Sequence, residues 1–243
     1  MFEVARNDYP APGRGTAGKV HVQSRAATPF RDRQEAGELL SLELSDYRGK
    51  RAVVLGIPRG GIVIARELAR TLDADLDIML SRKLRSPGHT ELAMGSIAED
   101  GAIFLNEGVI RELGVDQVYI QQEKERQLGE IARRCELIRR ILPKVPLTGR
   151  IAILTDDGVA TGATMQVALW SLRQESPRKL VVAVPVASEE AVNRLAGDAD
   201  EVFCLRLPPF FFAVGQFYLR FNQVEDDDVL RILEEEKVRK RLA

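Results

Sequence analysis

The stretch from Ile151 to Leu172, IAILTDDGVATGATMQVALWSL, limits what this chain can fold into more than any other segment. Ile151-Ala152-Ile153-Leu154 is an apolar run with the make-up of a short, buried parallel strand. Asp156 and Asp157 follow where that strand should end, and Thr161-Gly162-Ala163-Thr164 forms a turn of small residues. From Met165 to Leu172 the spacing predicts a helix. A strand, a small-residue loop and a helix in that order make an anion site, because the loop and the first helical turn present free N–H groups. Threonine hydroxyls add donors, and glycine lets a phosphate approach the backbone. The paired acids suit vicinal hydroxyls, which donate to ionised carboxylates. Phosphate beside a diol describes a ribose 5-phosphate.

A second unit of the same kind lies upstream. Arg51 to Ile57 reads as a buried strand, Pro58-Arg59-Gly60-Gly61 as a tight turn, and Ile62 to Leu72 as a helix. The glycines allow backbone N–H groups to meet an oxyanion, and Arg59 offers a bidentate fork to phosphate. Taken alone, the same residues equally describe an ordinary strand-to-helix turn.

Together, Asp156-Asp157-Gly158-Val159-Ala160-Thr161-Gly162-Ala163-Thr164 and the upstream Pro58-Arg59-Gly60-Gly61 resemble the signature and the pyrophosphate loop of type I phosphoribosyltransferases. The order of PRGG, RKL–SPGHTELA, DDGVATGATM and FFAVGQFY is most similar to an uncharacterised bacterial branch of that family. The resemblance implies that Asp156 and Asp157 hold the ribose hydroxyls of 5-phosphoribosyl pyrophosphate (PRPP), with the 5-phosphate on Thr161, Gly162, Ala163 and Thr164. It implies that Arg59, Gly60 and Gly61 hold the pyrophosphate, with a non-proline cis peptide near Arg59 and Gly60. Residues 84–94, LRSPGHTELAM, are similar to the family's flexible loop, so Arg82 and Lys83 are candidates to meet pyrophosphate and Glu91 to act as a base. For each of these three charges a solvated loop position is the alternative, and His89 is a weaker candidate. Magnesium is implied as cofactor, bound chiefly through substrate oxygens, with no protein metal site. Ala160 stands where the 6-oxopurine enzymes carry an aspartate, and no lysine occurs from Val182 to Ser188, so the acceptor is left open.

Alternating strands and helices over residues 51–205 argue a doubly wound, mostly parallel α/β sheet with its ligand at the carboxyl ends of the strands. Residues 1–28, rich in Gly, Pro, Ala and Arg, read as an irregular arm, and residues 29–243 as one phosphoribosyltransferase-like domain with a small hood from the terminal segments. The expected elements around that core are a helix from Arg33 to Tyr47, strands over residues 95–98 and 102–105, a long charged helix from Asp116 to Leu142, and a last helix from Asp226 to Arg241. The dense aromatic run Pro208 to Tyr218 suits a planar base, the core or a subunit interface alike.

Composition narrows the function classes. A net charge of −1 supplies no overall basic field for nucleic acid. The two cysteines form no CxxC pair, so the sequence suggests a reducing cytoplasm; no apolar run reaches the roughly 20 residues of a membrane span. The expected reaction transfers the 5-phosphoribosyl group of PRPP to a small nitrogenous acceptor, a nucleobase, with release of pyrophosphate, in a chain that could pair as a homodimer. The alternative is a non-catalytic regulatory protein of the same fold that binds PRPP or a nucleotide.

Overall fold

Six strands form a parallel sheet at the centre of the computed structural model, which describes residues 18–101 and 103–242, the side chains of 89–92, 104 and 241–242 excepted. In chain order these are β1 (Lys19–Ser24), β2 (Val53–Gly56), β3 (Asp75–Ile78), β7 (Ile151–Thr155), β8 (Lys179–Val186) and β9 (Glu201–Arg206), arranged β1-β9-β8-β7-β2-β3. Between β3 and β7 the chain builds a small antiparallel sheet from β4 (Ser81–Ser86), β5 (His89–Ala98) and β6 (Ile103–Leu105). The helices are α1 (Arg33–Glu43), α2 (Gly61–Leu72), α3 (Glu107–Leu113), α4 (Gln117–Ile141), α5 (Ala163–Gln174), α6 (Glu189–Ala196) and α7 (Asp226–Leu242).

Strand side chains alternate between two apolar layers, as a period of two requires. Val54, Ile153, Val181 and Phe203 pack with Leu40 of α1 and Ile62 and Leu68 of α2, whereas Leu55, Leu154, Val182 and Val202 pack with Val167 and Leu169 of α5 and Leu195 of α6. With both faces covered, β7 and β8 read in sequence as continuous apolar runs. β2 and β7 are neighbours at the centre, Gly56 beside Thr155, and the chain leaves them toward opposite edges of the sheet. That point of reversal opens a crevice at the carboxyl ends, where ligands of such sheets bind.

Two expectations are corrected here. Residues 19–24, expected within an irregular arm, form the edge strand β1, paired in parallel with β9 from Lys19 beside Glu201 to Ser24 beside Arg206. Val20 and Val22 alternate with His21 and Gln23, but two repeats on an exposed edge beside a Gly/Pro/Arg-rich stretch are a weak signal, and the strand is held by backbone pairing; its His21 stacks on Phe203 at 4.3 Å between ring centroids. The segment expected as a flexible loop is instead the β4–β5 hairpin, with Gly88 at φ +69° in its turn and an irregular register at Leu84, Arg85 and Ser86. Buried Leu84, Met94 and Ile97 seat it on the core.

Helices α1 and α2 cross closely because Gly37 has no side chain: a Cβ built there would lie 2.9 Å from Cβ of Glu67. Gly37→Leu should therefore overpack this crossing and lower stability by about 1–3 kcal/mol, read as a lower urea midpoint at unchanged slope.

Candidate active site

The site grows from the end of β7. Its carboxyl end delivers Asp156 and Asp157 into the crevice, and Asp156 Oδ1 accepts a 2.8 Å hydrogen bond from the Asp157 N–H. Across the crevice lies the turn after β2, Pro58 to Gly61, where the Pro58–Arg59 peptide is cis, beside the expected position. The two glycines admit the acids: a Cβ on Gly60 would lie 1.8 Å from Asp157 Oδ2, and one on Gly61 would lie 2.8 Å from Asp156 Cα. Any side chain at either position would displace the carboxylates.

Burial and the adjacent Asp157 charge push the Asp156 carboxyl well above the usual range. Burial also raises Asp157, against the opposing pull of the Arg33 guanidinium. Arg33 Nε donates to Asp157 Oδ2 at 2.7 Å, with about a tenth of each side chain exposed. Its Nη1 donates to the Asn222 carbonyl at 2.7 Å, and the guanidinium carbon sits 3.9 Å from the Phe221 ring centroid. Tyr218 Oη donates to the Asp157 carbonyl at 2.5 Å. Sequence reasoning does not reach Arg33 and Phe221 as site residues, and of Tyr218 it offers only the aromatic run it closes; the three come from far ends of the chain and meet only by folding.

The small-residue loop closes with Gly162 at φ +77°, a conformation that favours glycine, at the head of α5. The N-cap Gly162 makes no side-chain cap, the Ala163 N–H has only a long 3.5 Å contact to Thr161 Oγ1, and no acid lies in the first turn, so the N–H groups and positive end of this helix face the crevice from beside Thr161, Ala163 and Thr164. The Ala160 carbonyl is held by the Ser188 hydroxyl at 2.5 Å.

The other expected residues divide. Arg59 borders the crevice, and its Nη1 pairs with Glu225 Oε2 at 2.9 Å. Lys83 is exposed and lies opposite Ser96 in the hairpin register, so the two share a face. Ser96 Oγ reaches the Ala163 carbonyl at 3.4 Å, which turns that face toward the signature loop. Arg82 turns to α4 and approaches Glu130 at 3.8 Å; no interaction among the described residues joins it to the Arg59 turn. Glu91 and His89 fall in β5, but their side chains lie outside the described residues. The aromatic run also divides. Phe217 and Tyr218 are core, Val214 rests on Gly158, and Phe210 and Phe212 are exposed.

Among the described residues no three metal-binding side chains gather. Two adjacent carboxylates fit a magnesium ion that takes most of its oxygens from substrate and water.

A parallel sheet with helices on both faces and a crevice at its point of reversal defines a doubly wound α/β protein. The chain belongs to the phosphoribosyltransferase family: the phosphoribosyl transferase domain model matches residues 32–222. A Mycobacterium tuberculosis protein named "Putative phosphoribosyl transferase" is 46% identical over 205 residues, which are 84% of this chain and 46% of that protein. The chain thus spans about half the length of the curated relatives it matches. The crystal structure of TT1426 from Thermus thermophilus is 48% identical, with a TM-score of 0.73 over 86% of this chain and 99% of that one. No helix among the described residues is long and apolar enough to cross a membrane.

Two outcomes follow from the acid pair. An Asp156 pKa raised in the fold above 3.8 means that ionisation opposes folding. Its contribution is fully present below the unfolded value and is lost as pH rises through the folded one. Asp156→Asn should therefore raise the melting temperature at pH 7.5 and change it little at pH 3.5. Conversely, Arg33→Met leaves the two acids without their cation. It should cost stability at the low end of the roughly 3–5 kcal/mol seen for broken buried pairs, more at pH 8 than at pH 5, in paired denaturant titrations.

Proposed function

We propose that the chain transfers the 5-phosphoribosyl group of PRPP to a nitrogen nucleophile, with release of pyrophosphate. The observation that carries this reading is the meeting of three parts in one crevice: the Asp156–Asp157 pair, the Arg59–Gly60–Gly61 turn and the uncapped start of α5. Thr161 to Thr164 and the α5 N–H groups take the 5-phosphate, and the two acids accept from the ribose hydroxyls. Arg59, with Lys83 from the hairpin face, takes the pyrophosphate and stabilises its charge as the bond to C1 breaks. Magnesium, bound with the substrate, would neutralise pyrophosphate oxygens.

The transition state carries positive charge on the ribose ring, and the carboxylates beneath the hydroxyls favour it electrostatically. Asp157, kept toward its ionised form by Arg33, supplies most of that negative charge. The Glu91 carboxylate receives the proton that the acceptor nitrogen loses as it bonds to C1; a positioned general base contributes about 10²–10⁴-fold in rate. Exposed Phe210 and Phe212, on the segment that covers Gly158, offer rings to a planar acceptor.

The test is pyrophosphate release from PRPP and magnesium across a panel of nucleobases and small amines. At least one acceptor should give turnover, and Asp157→Asn should weaken PRPP binding about tenfold or more by calorimetry, measured well below the melting temperature of the variant, which loses the charge that Arg33 pairs with. PRPP binding without turnover on any acceptor would favour the regulatory reading. No PRPP binding at all would reject both.

A further inference from the structure

The segments around Phe30 and Tyr218 lie side by side in a short parallel ladder. The Phe30 N–H donates to the Phe217 carbonyl at 2.8 Å, the Leu219 N–H to the Phe30 carbonyl at 2.8 Å, and the Arg220 N–H to the Arg31 carbonyl at 2.9 Å. This ladder brings two side chains to one residue of the crevice. Tyr218 Oη donates to the Asp157 carbonyl at 2.5 Å, while Arg33 Nε donates to Asp157 Oδ2 at 2.7 Å. Asp157 is therefore held twice, at its main chain and at one carboxylate oxygen.

The two holders are joined to each other. The Phe221 ring stacks on Tyr218 with centroids 5.1 Å apart, and the Arg33 guanidinium carbon lies 3.9 Å from the Phe221 centroid. A buried tyrosine hydroxyl needs an acceptor, and any core carbonyl would satisfy it. Here the acceptor is the main chain of the same acid that Arg33 grips, which a packing requirement alone does not ask for. Burial and the Asp157 charge raise the Tyr218 phenol well above its usual range, so it stays a donor at neutral pH. Asp157 Oδ1 receives no hydrogen bond from another of the described residues. With Oδ2 engaged, Oδ1 is the oxygen left to accept from a sugar hydroxyl, and its direction follows the backbone that Tyr218 holds. Hydrogen bonds weaken steeply with misalignment, so a small turn of that backbone is felt at the ligand.

We propose that Tyr218 is a positioning residue of the ribose site: it fixes the Asp157 main chain while Arg33, braced by Phe221, fixes Oδ2, so that Oδ1 is aimed at a ribose hydroxyl. This inference rests on the reading of Asp156 and Asp157 as ribose-binding acids. Tyr218 itself touches no reacting atom and acts through Asp157.

The readout is the preference for ribose 5-phosphate over inorganic phosphate, taken as a ratio of dissociation constants by calorimetry. A general loss of stability lowers the melting temperature without moving that ratio. Tyr218→Phe keeps the ring and removes only the hydroxyl, and should lower the preference roughly three- to tenfold with phosphate binding unchanged. Phe221→Leu withdraws the brace under Arg33 and should lower it in the same direction; it decides the matter if Tyr218→Phe does not fold. Phe211→Leu is the control, since that ring packs on Phe217 at 5.2 Å between centroids; it should leave the ratio as it is. A preference kept in both Tyr218→Phe and Phe221→Leu, or lost as much in Phe211→Leu, would overturn the positioning role and leave the proposed function standing. A wild-type protein that binds phosphate but shows no preference for the sugar phosphate would overturn the ribose role of the acids and this inference with it, as would one that binds neither.

Discussion

Two carboxyl groups held out of water at the end of a central strand are the constraint on which this structure turns. Neighbouring acids at a buried position repel each other and are poorly solvated, so the fold must either neutralise one or bring a cation. Here it does some of each. Asp156 is pushed toward its protonated form, while Arg33 crosses from the start of α1 to hold Asp157. The strand order makes this possible, since β2 beside β7 sets a glycine turn against the acids. Gly60 and Gly61 are required by contact distance, and each side of the crevice shapes the other.

The terminal segments meet the crevice with pairs of unequal strength. Arg33–Asp157 is almost closed to solvent, and Arg33 also stacks on Phe221, so separating it exposes an uncompensated charge. By contrast, Arg59–Glu225 and Arg134–Asp226 lie at the surface, with 58% and 62% of the two acid side chains exposed. Such exposed pairs contribute about 0–1 kcal/mol. Arg59 can therefore leave Glu225 at small cost, whereas Arg33 stays with its acid. In that difference one arginine is loosely held and the other is a fixed part of the frame.

The two faces of the hairpin turn to different parts of the molecule. Alternation places Lys83 and Ser96 on the face toward the signature loop, while Arg82 turns to Glu130 on α4 and the Arg85 backbone binds Glu123. A segment fixed by Leu84, Met94 and Glu123 is not a free lid, and any closing motion has to be taken up at the tip, near Gly88.

Much of this was written in the sequence. The apolar runs of β2, β7 and β8, each followed by glycines or small polar residues, announced a parallel sheet with turns leading into helices, because central strands must be apolar on both faces. The position of Asp156 and Asp157 relative to Thr161 to Thr164 is local, within one strand–loop–helix unit, and so was legible. Strand β1 was not, because it is held by backbone pairing with β9 and shows only the short Val20–Val22 alternation on an exposed edge. Nor was the hairpin, whose charged outer residues hide the few buried ones that seat it. Arg33, Phe221 and Glu225 were beyond reach for another reason, and the aromatic run ending at Tyr218 was legible without its partner: their roles arise from contacts between segments far apart in the chain, and no local pattern encodes a distance in space. Local sequence determined which acids, glycines and threonines lie together in one strand–loop–helix unit. Only the tertiary fold decided which of them are charged, which are already paired and which stand free, since each of those depends on burial and on neighbours brought from elsewhere in the chain.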